Sequence, residues 1–238
     1  MPVNQIIYYQ DLGITDYQTA FTQQNILFEQ LKQSKIDNKY RQIPQPTDNY
    51  FLFTEHPHVY TLGKSGKEEH LLIDEKQRSE KSVQFIKTDR GGDITYHGPG
   101  QIVGYPIIDL DNFGLDILAY MRLMEEIIID LLKKYDIQGE RSQGETGVWI
   151  DAGKPTARKI CAMGVKTSRW ITMHGFALNV SPDLSYFNHI IPCGIHNKGV
   201  TSMQKELGYI PNQEVLKQEI RDLFALLLPA KFVAKKLF

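Results

Sequence analysis

Residues 89–101 read Asp89-Arg90-Gly91-Gly92-Asp93-Ile94-Thr95-Tyr96-His97-Gly98-Pro99-Gly100-Gln101, the stretch of this chain that restricts its backbone most. Four glycines and a proline so close together dictate tight turns or a close backbone approach to a ligand. Arg90 and His97 add donors that can hold a carbonyl, a carboxylate or a phosphate. The spacing matches neither a Walker loop nor a dinucleotide fingerprint. By composition alone, a ligand loop and a plain hairpin with turn glycines fit equally well.

The flanking sequence predicts strands and a few long helices. Residues 5–9 predict an opening strand, and Thr15 with Gln18 a capping box for the helix after it. Tyr17, Phe21, Phe28 and Leu31 recur at helical spacing as its buried stripe. Residues 50–54 and 58–62 predict two short strands around His56-Pro57. Residues 64–82 predict a solvated loop, interrupted by Leu71-Leu72-Ile73. Strands follow at 83–88 and 102–108. Ile117, Met121, Met124, Ile128, Leu131 and Tyr135 mark a long amphipathic helix. Strands are predicted again at 146–150, 158–166 and 170–180. Pro211 opens a final helix carrying Val215, Ile220, Leu223 and Leu227. Strands in succession with few helices predict an α+β fold, a mixed sheet packed with helices. No repeat or linker divides the chain, so residues 1–238 are expected to form a single domain.

Charge and cysteine usage narrow the function classes. A formal net charge of −1 gives no global attraction to nucleic acid or to an anionic membrane. The N-terminus lacks the pattern of a secretory signal, and no apolar run reaches the ~18 residues of a spanning helix. Cys161 and Cys193 are the two cysteines; without an export signal they are expected to be free thiols in a reduced, cytoplasmic setting. His56 and His58 lie two apart, but no third ligand has metal-site spacing, so no metal is expected.

Lys159 sits in Arg158-Lys159-Ile160-Cys161-Ala162-Met163-Gly164-Val165. Strand alternation puts Lys159, Cys161 and Met163 on one face and Ile160 and Ala162 on the other. A solvated face is the ordinary setting for such a lysine. Cys193, between Pro192 and Gly194, reads as a thiol presented on a turn, although free cysteines are more often buried and inert. Periodicity does not choose the nucleophile, and by proximity to Lys159 it favours Cys161. A Cys–Lys pair has clear chemistry: a free thiol has a pKa of ~8.5, and a nearby ammonium favours the thiolate. The lysine can then protonate a leaving group and take a proton from the next nucleophile. His174 reads as a structural histidine or a pocket residue. A Cys–His–acid arrangement stays open.

Taken together, these segments resemble a known family. The run Arg90 to Gln101 is similar to the RGGxxTYHGPGQ signature of the octanoyltransferases, the lipoate-protein ligase B family. Gly147-Val148-Trp149, the segment from Lys159 to Val165, His174-Gly175-Phe176-Ala177-Leu178-Asn179-Val180, Pro192-Cys193-Gly194-Ile195 and Val200-Thr201-Ser202-Met203 follow in the family's order. The resemblance covers roughly residues 5–225. It implies a biotin/lipoyl-protein ligase type of catalytic domain, with no cofactor. It further implies octanoyl transfer from acyl carrier protein to a lysine of lipoyl domains, those of 2-oxoacid dehydrogenases and the glycine cleavage H protein. Cys193 would carry the acyl group as a thioester and Lys159 would lower its pKa. Arg90 to His97, Ala162 to Gly164 and Gly175 to Ala177 would line the acyl pocket. Asp93 stands where glutamine is common, and Cys161 offers a second thiol near Lys159. Lys166, Arg169 and Lys198 are candidate docking residues for an acidic carrier. An ATP-dependent lipoate or biotin ligase, a non-catalytic carrier-binding module and a cysteine hydrolase are the competing readings.

Overall fold

The computed structural model describes residues 3–191 and 198–238. Among these, the main sheet has nine strands. Its order is β12 (Lys231–Ala234), β1 (Ile6–Ile14), β2 (Tyr50–Glu55), β6 (Gln101–Ile107), β10 (Ile171–Asn179), β9 (Arg158–Ser168), β8 (Glu145–Ile150) and β7 (Glu140–Ser142), with β11 (Gly199–Val200) beside β9. β1 runs parallel to β2 and β12, and β11 parallel to β9; the remaining pairs are antiparallel. A second sheet of three strands has the order β4 (Gln84–Lys87), β3 (Val59–Leu62), β5 (Ile94–His97). The fold is thus the mixed sheet with packed helices that the strand succession predicts.

Both faces of the main sheet are covered, which explains why every residue of β6 is buried. Helix α1 (Tyr17–Asn38) lays Ala20, Leu27, Phe28 and Leu31 against Leu52, Val103, Ile107 and Met173 on one face. Helices α3 (Ile117–Lys133) and α5 (Gln213–Leu227), the latter following the short α4 (Met203–Leu207), cover the other face, packing on Phe51, Phe53, Ile102 and Leu178. Ile127, Ile128, Leu131 and Leu132 of α3 are fully buried, each contributing about 2 kcal/mol of transfer free energy.

Several boundaries differ from the sequence expectation. The cap of α1 is Asp16, not Thr15: its carboxylate accepts from the Gln18 and Thr19 amides at 2.9 and 3.2 Å, while the Thr15 hydroxyl turns back to Leu12 O. Asn212 caps α5 in the same way, so Pro211 lies outside the helix. Val215 and Leu227 are exposed there, and Leu216 and Phe224 fill the buried face with Ile220 and Leu223. Segment 64–82 is not all loop. It contains α2 (Glu75–Glu80), started by a reciprocal capping box of Asp74 and Gln77. The strands on either side of His56-Pro57 do not pair with each other; they enter different sheets.

Candidate active site

Between the α1 face of the main sheet and the small sheet lies a cavity of about 990 Å³, its open mouth included. Its floor is built from one face of three adjacent strands: Gln101, Val103 and Tyr105 of β6, Gly175, Ala177 and Asn179 of β10, and Ala162 and Gly164 of β9. Alternation along each strand selects these positions. The glycine-rich segment and β5 form the roof through Arg90, Gly92, Asp93, Ile94, Thr95 and His97.

The roof is pinned by its backbone. Gly63 N donates to Asp93 O, Lys64 N to Arg90 O, Ser65 N to Gly92 O and Gly91 N to Val165 O. Gly92 sits at φ +86°, where an L side chain is strained. The Arg90 guanidinium donates to Thr61 O and Thr61 Oγ1 at 2.7 and 2.9 Å and to Gly91 O at 3.0 Å, so it braces the turn. Asp93 is buried, accepts from the Ile94 amide at 2.7 Å and meets His70 Nδ1 at 2.6 Å. Two members of the expected lining lie elsewhere. Gly91 is spent on the contact with Val165, and Tyr96 alternates out of the cavity into a cluster with Tyr60 and Tyr186.

Lys159 reaches the cavity because β9 is bulged. β9 pairs Cys161 with Val148 and Lys159 with Trp149, so two steps along β9 answer one along β8. The extra residue, Ile160, resets the alternation. Lys159 consequently shares the cavity with Ala162, while Cys161 falls into the core on the α3 side. This corrects the expectation that Lys159 and Cys161 share a face. Burial pushes the Cys161 thiol far up, and the Lys159 charge offsets this only in part.

The Lys159 ammonium lies 4.6 Å from the centroid of the Trp149 ring, and the Lys198 ammonium 4.9 Å from the same ring. Lys198 also donates to Glu145 Oε2 at 2.6 Å. Burial raises the Glu145 carboxyl, but hydrogen bonds from Lys198 and Ser142 outweigh it and leave the pKa lowered. This end of the cavity is its mouth, since Lys198 is partly exposed and Gly199 exposed. Of the lysines considered for docking, Lys166 and Lys198 are thus each engaged by a carboxylate, Lys166 through Asp89 at 2.5 Å.

At the opposite end stands His174, which is buried and has φ +62°. The left-handed backbone turns its imidazole toward α1, where it stacks on Phe21 at 5.6 Å. Nε2 meets Asp89 Oδ1 at 2.8 Å. His174 holds Asp89 well below the usual carboxylate range, against a burial effect that Lys166 also opposes. Burial lowers His174 itself, with Asp89 opposing, so the ring is neutral near pH 7 with Nε2 as donor. Among the described residues its Nδ1 has no hydrogen-bond partner.

A row of polar groups crosses under the roof. His97 Nδ1 lies 3.3 Å from Gln101 Oε1, Gln101 Nε2 donates to Asn179 Oδ1 at 2.8 Å, and Asn179 Nδ2 donates to Thr201 O at 3.0 Å. Thr201 N in turn donates to Lys159 O at 2.9 Å. Burial, with the nearby Arg90 charge adding to it, keeps His97 well below its usual pKa. As a neutral ring it donates from Nδ1 to Gln101.

Of the expected site residues, the structure therefore gathers Arg90, Gly92, Asp93, Ile94, Thr95, His97, Lys159, Ala162, Met163, Gly164, Gly175, Phe176 and Ala177 around one cavity. Cys193 lies outside the described residues. Sequence reasoning missed Tyr17, Tyr105 and Trp149 as lining residues. Tyr17 reads as part of the buried stripe of α1, Tyr105 lies unremarked within the strand predicted at 102–108, and Trp149 comes beside Lys159 only through the β8–β9 pairing. Among the described residues no cluster of three or more His, Cys, Asp or Glu side chains could hold a metal ion. No helix there is long and apolar enough to cross a membrane.

The chain belongs to the lipoyl protein ligase A/B catalytic domain family, whose model matches residues 16–225. Within it, the chain is similar to proteins named octanoyltransferase. That of Christiangramia forsetii is 56% identical over 220 residues, covering 92% of this chain and 93% of the relative. That of Flavobacterium psychrophilum is 57% identical over 219 residues, covering 92% and 94%. The bipartite lipoate protein ligase of Thermoplasma acidophilum shares the fold, with a TM-score of 0.66 at 14% identity over 98% of this chain and 86% of that one.

Proposed function

We propose that this chain transfers an octanoyl group from acyl carrier protein to the acceptor lysine of lipoyl domains, through a thioester on Cys193. The similarity to octanoyltransferases along nearly their whole length supports the acyl group. The observation that carries the chemistry is a lysine ammonium, that of Lys159, at the mouth of a cavity with an apolar floor. A thiol nucleophile must stay reduced, which suits a cytoplasmic setting.

In the first half-reaction the Cys193 thiolate attacks the carrier's thioester carbonyl. A C–S bond to Cys193 forms, the C–S bond to the carrier breaks, and the carrier thiolate takes a proton from the Lys159 ammonium. In the second, the acceptor amine attacks octanoyl-Cys193, an amide forms and the Cys193 thiolate is released. Neutral Lys159 takes the proton that the amine loses, which restores both groups. The Lys159 ammonium lies over the face of Trp149, whose ring attracts it.

Mass spectrometry after incubation with octanoyl-acyl carrier protein tests this reading. An octanoyl adduct on Cys193, discharged by a lipoyl domain, is expected without ATP. An adduct on Cys161, on neither thiol, or one that needs ATP would refute it.

A further inference from the structure

We propose that Tyr105 and Tyr17 form the end wall against which the acyl chain stops, and that they set the chain length the enzyme accepts. The inference rests on the octanoyl-transfer reading above.

The cavity has a direction. Its mouth is marked by Lys159, Lys198 and exposed Gly199, and its far end is fully buried, with Tyr17 2% and Tyr105 3% exposed. A chain whose carbonyl lies near Lys159 must therefore point its methyl end at the two tyrosines.

The floor between these ends is graded by cross-strand rows. Gln101 pairs with Asn179 nearest the mouth, and Val103 pairs with Ala177, itself paired with Ala162. Gly175 pairs with Gly164 in the next row, where Tyr105 follows Gly104 on β6. Successive rows are two residues apart, so the floor from Asn179 to Gly175 runs about 13 Å. An extended chain of eight carbons fits within that span. The glycine pair cannot be a size filter. A Cβ at Gly164 would lie 2.8 Å from Gly91 O, and one at Gly175 would strike Gly104 O. Backbone thus fills those places already, and the large side chain the floor presents in that row is Tyr105, with Tyr17 lining the cavity beside it.

The wall is fixed in place. Tyr105 Oη donates to His56 Nε2 at 2.7 Å, because His56 Nδ1 donates to Thr15 O at 2.7 Å and leaves only Nε2 to accept. The Tyr17 ring stacks on His97 at 5.9 Å and leans on His56 at 5.1 Å. Neither ring can swing aside without breaking buried contacts.

The test is the acyl-length profile of the full chain, read as kcat/KM for hexanoyl, octanoyl, decanoyl and dodecanoyl carrier protein with a lipoyl domain as acceptor. Wild type is expected to prefer octanoyl. Tyr105→Leu and Tyr17→Leu are each expected to raise the decanoyl-to-octanoyl ratio at least ~10-fold, the usual worth of one or more methylenes in an apolar pocket. Val103→Phe, which shortens the path, should raise the hexanoyl-to-octanoyl ratio by a similar factor. Tyr105→Phe retains the ring and should retain the octanoyl optimum. If Tyr105→Leu does not fold, Tyr17→Leu and Val103→Phe decide. Active variants whose ratios stay within ~2-fold of wild type would overturn the end-wall assignment while leaving octanoyl transfer standing. A wild-type protein that transfers no octanoyl at all would remove the functional reading and this inference with it.

Discussion

Lys159 and Cys161 are two residues apart on β9 and lie on opposite sides of the main sheet. The single extra residue Ile160 separates them: Lys159 faces the cavity beside Trp149, and Cys161 is fully buried in the core under α3. A thiol in that position has no access to a ligand, and burial keeps it protonated. Cys161→Ala is therefore expected to keep transfer within ~3-fold of wild type and to cost about 1 kcal/mol of stability, a typical value for a small change. Alkylation of the native protein followed by peptide mapping should leave Cys161 unmodified. Rapid labelling there would contradict the bulge.

Lys159→Ala should lower kcat/KM by roughly 10²–10⁴, the usual worth of a positioned acid–base group. Both half-reactions should slow, because each moves a proton at Lys159 in the proposed mechanism. The rate of Cys193 alkylation against pH should shift to higher pH. A Lys159→Ala enzyme within tenfold of wild type would exclude the proposed role.

The buried histidines make stability depend on pH in the mildly acidic range. Burial depresses His56 from an ordinary 6.5 to about 4, with the Thr15 carbonyl and Asp16 opposing in part. Between those values the unfolded chain binds a proton that the folded chain refuses, so stability falls as pH falls through the window. His56 alone contributes about 3 kcal/mol to the drop. Urea titrations from pH 7 to 4 should show it, and His56→Gln should flatten the curve. A curve unchanged by that substitution would show that His56 does not carry the effect.

Gly175→Ala should cost about 1–3 kcal/mol, the range for overpacking a filled interior. The obstacle is the Gly104 carbonyl oxygen, which no rotamer change can move away. Denaturant midpoints of Gly175→Ala against wild type measure this; an unshifted midpoint would mean that β6 and β10 can separate without cost.

The long amphipathic helix and eight of the strands were legible in the sequence, because each rests on local periodicity, whereas β5, β7, β11 and β12 were not predicted. Residues 89–101 stood out by their glycines and proline, but only their resemblance to a family signature marked them as a ligand loop. Cap identities were off by one residue where two candidate side chains adjoin, as at Thr15 and Asp16. The faces of β9 could not be read, since a bulge is fixed by the register of the neighbouring strand rather than by its own residues. Tyr105 and Tyr17 were hidden for a related reason. A buried tyrosine on a strand or a helix looks like core until tertiary packing places a cavity in front of it. Trp149 and Lys159 likewise meet through pairing between strands.

The polar row from His97 through Gln101 and Asn179 to the Thr201 carbonyl has donors that all point the same way. Turning either amide over would set donor against donor or acceptor against acceptor among buried side chains. The row therefore has one handed arrangement, and it acts as a rigid tie-rod between the glycine-rich roof and the backbone beside Lys159. Its two ends are the His97 ring of the roof and the Thr201 backbone that donates to Lys159 O, so three side chains that need take no part in the proposed chemistry tie the roof to the strand carrying Lys159.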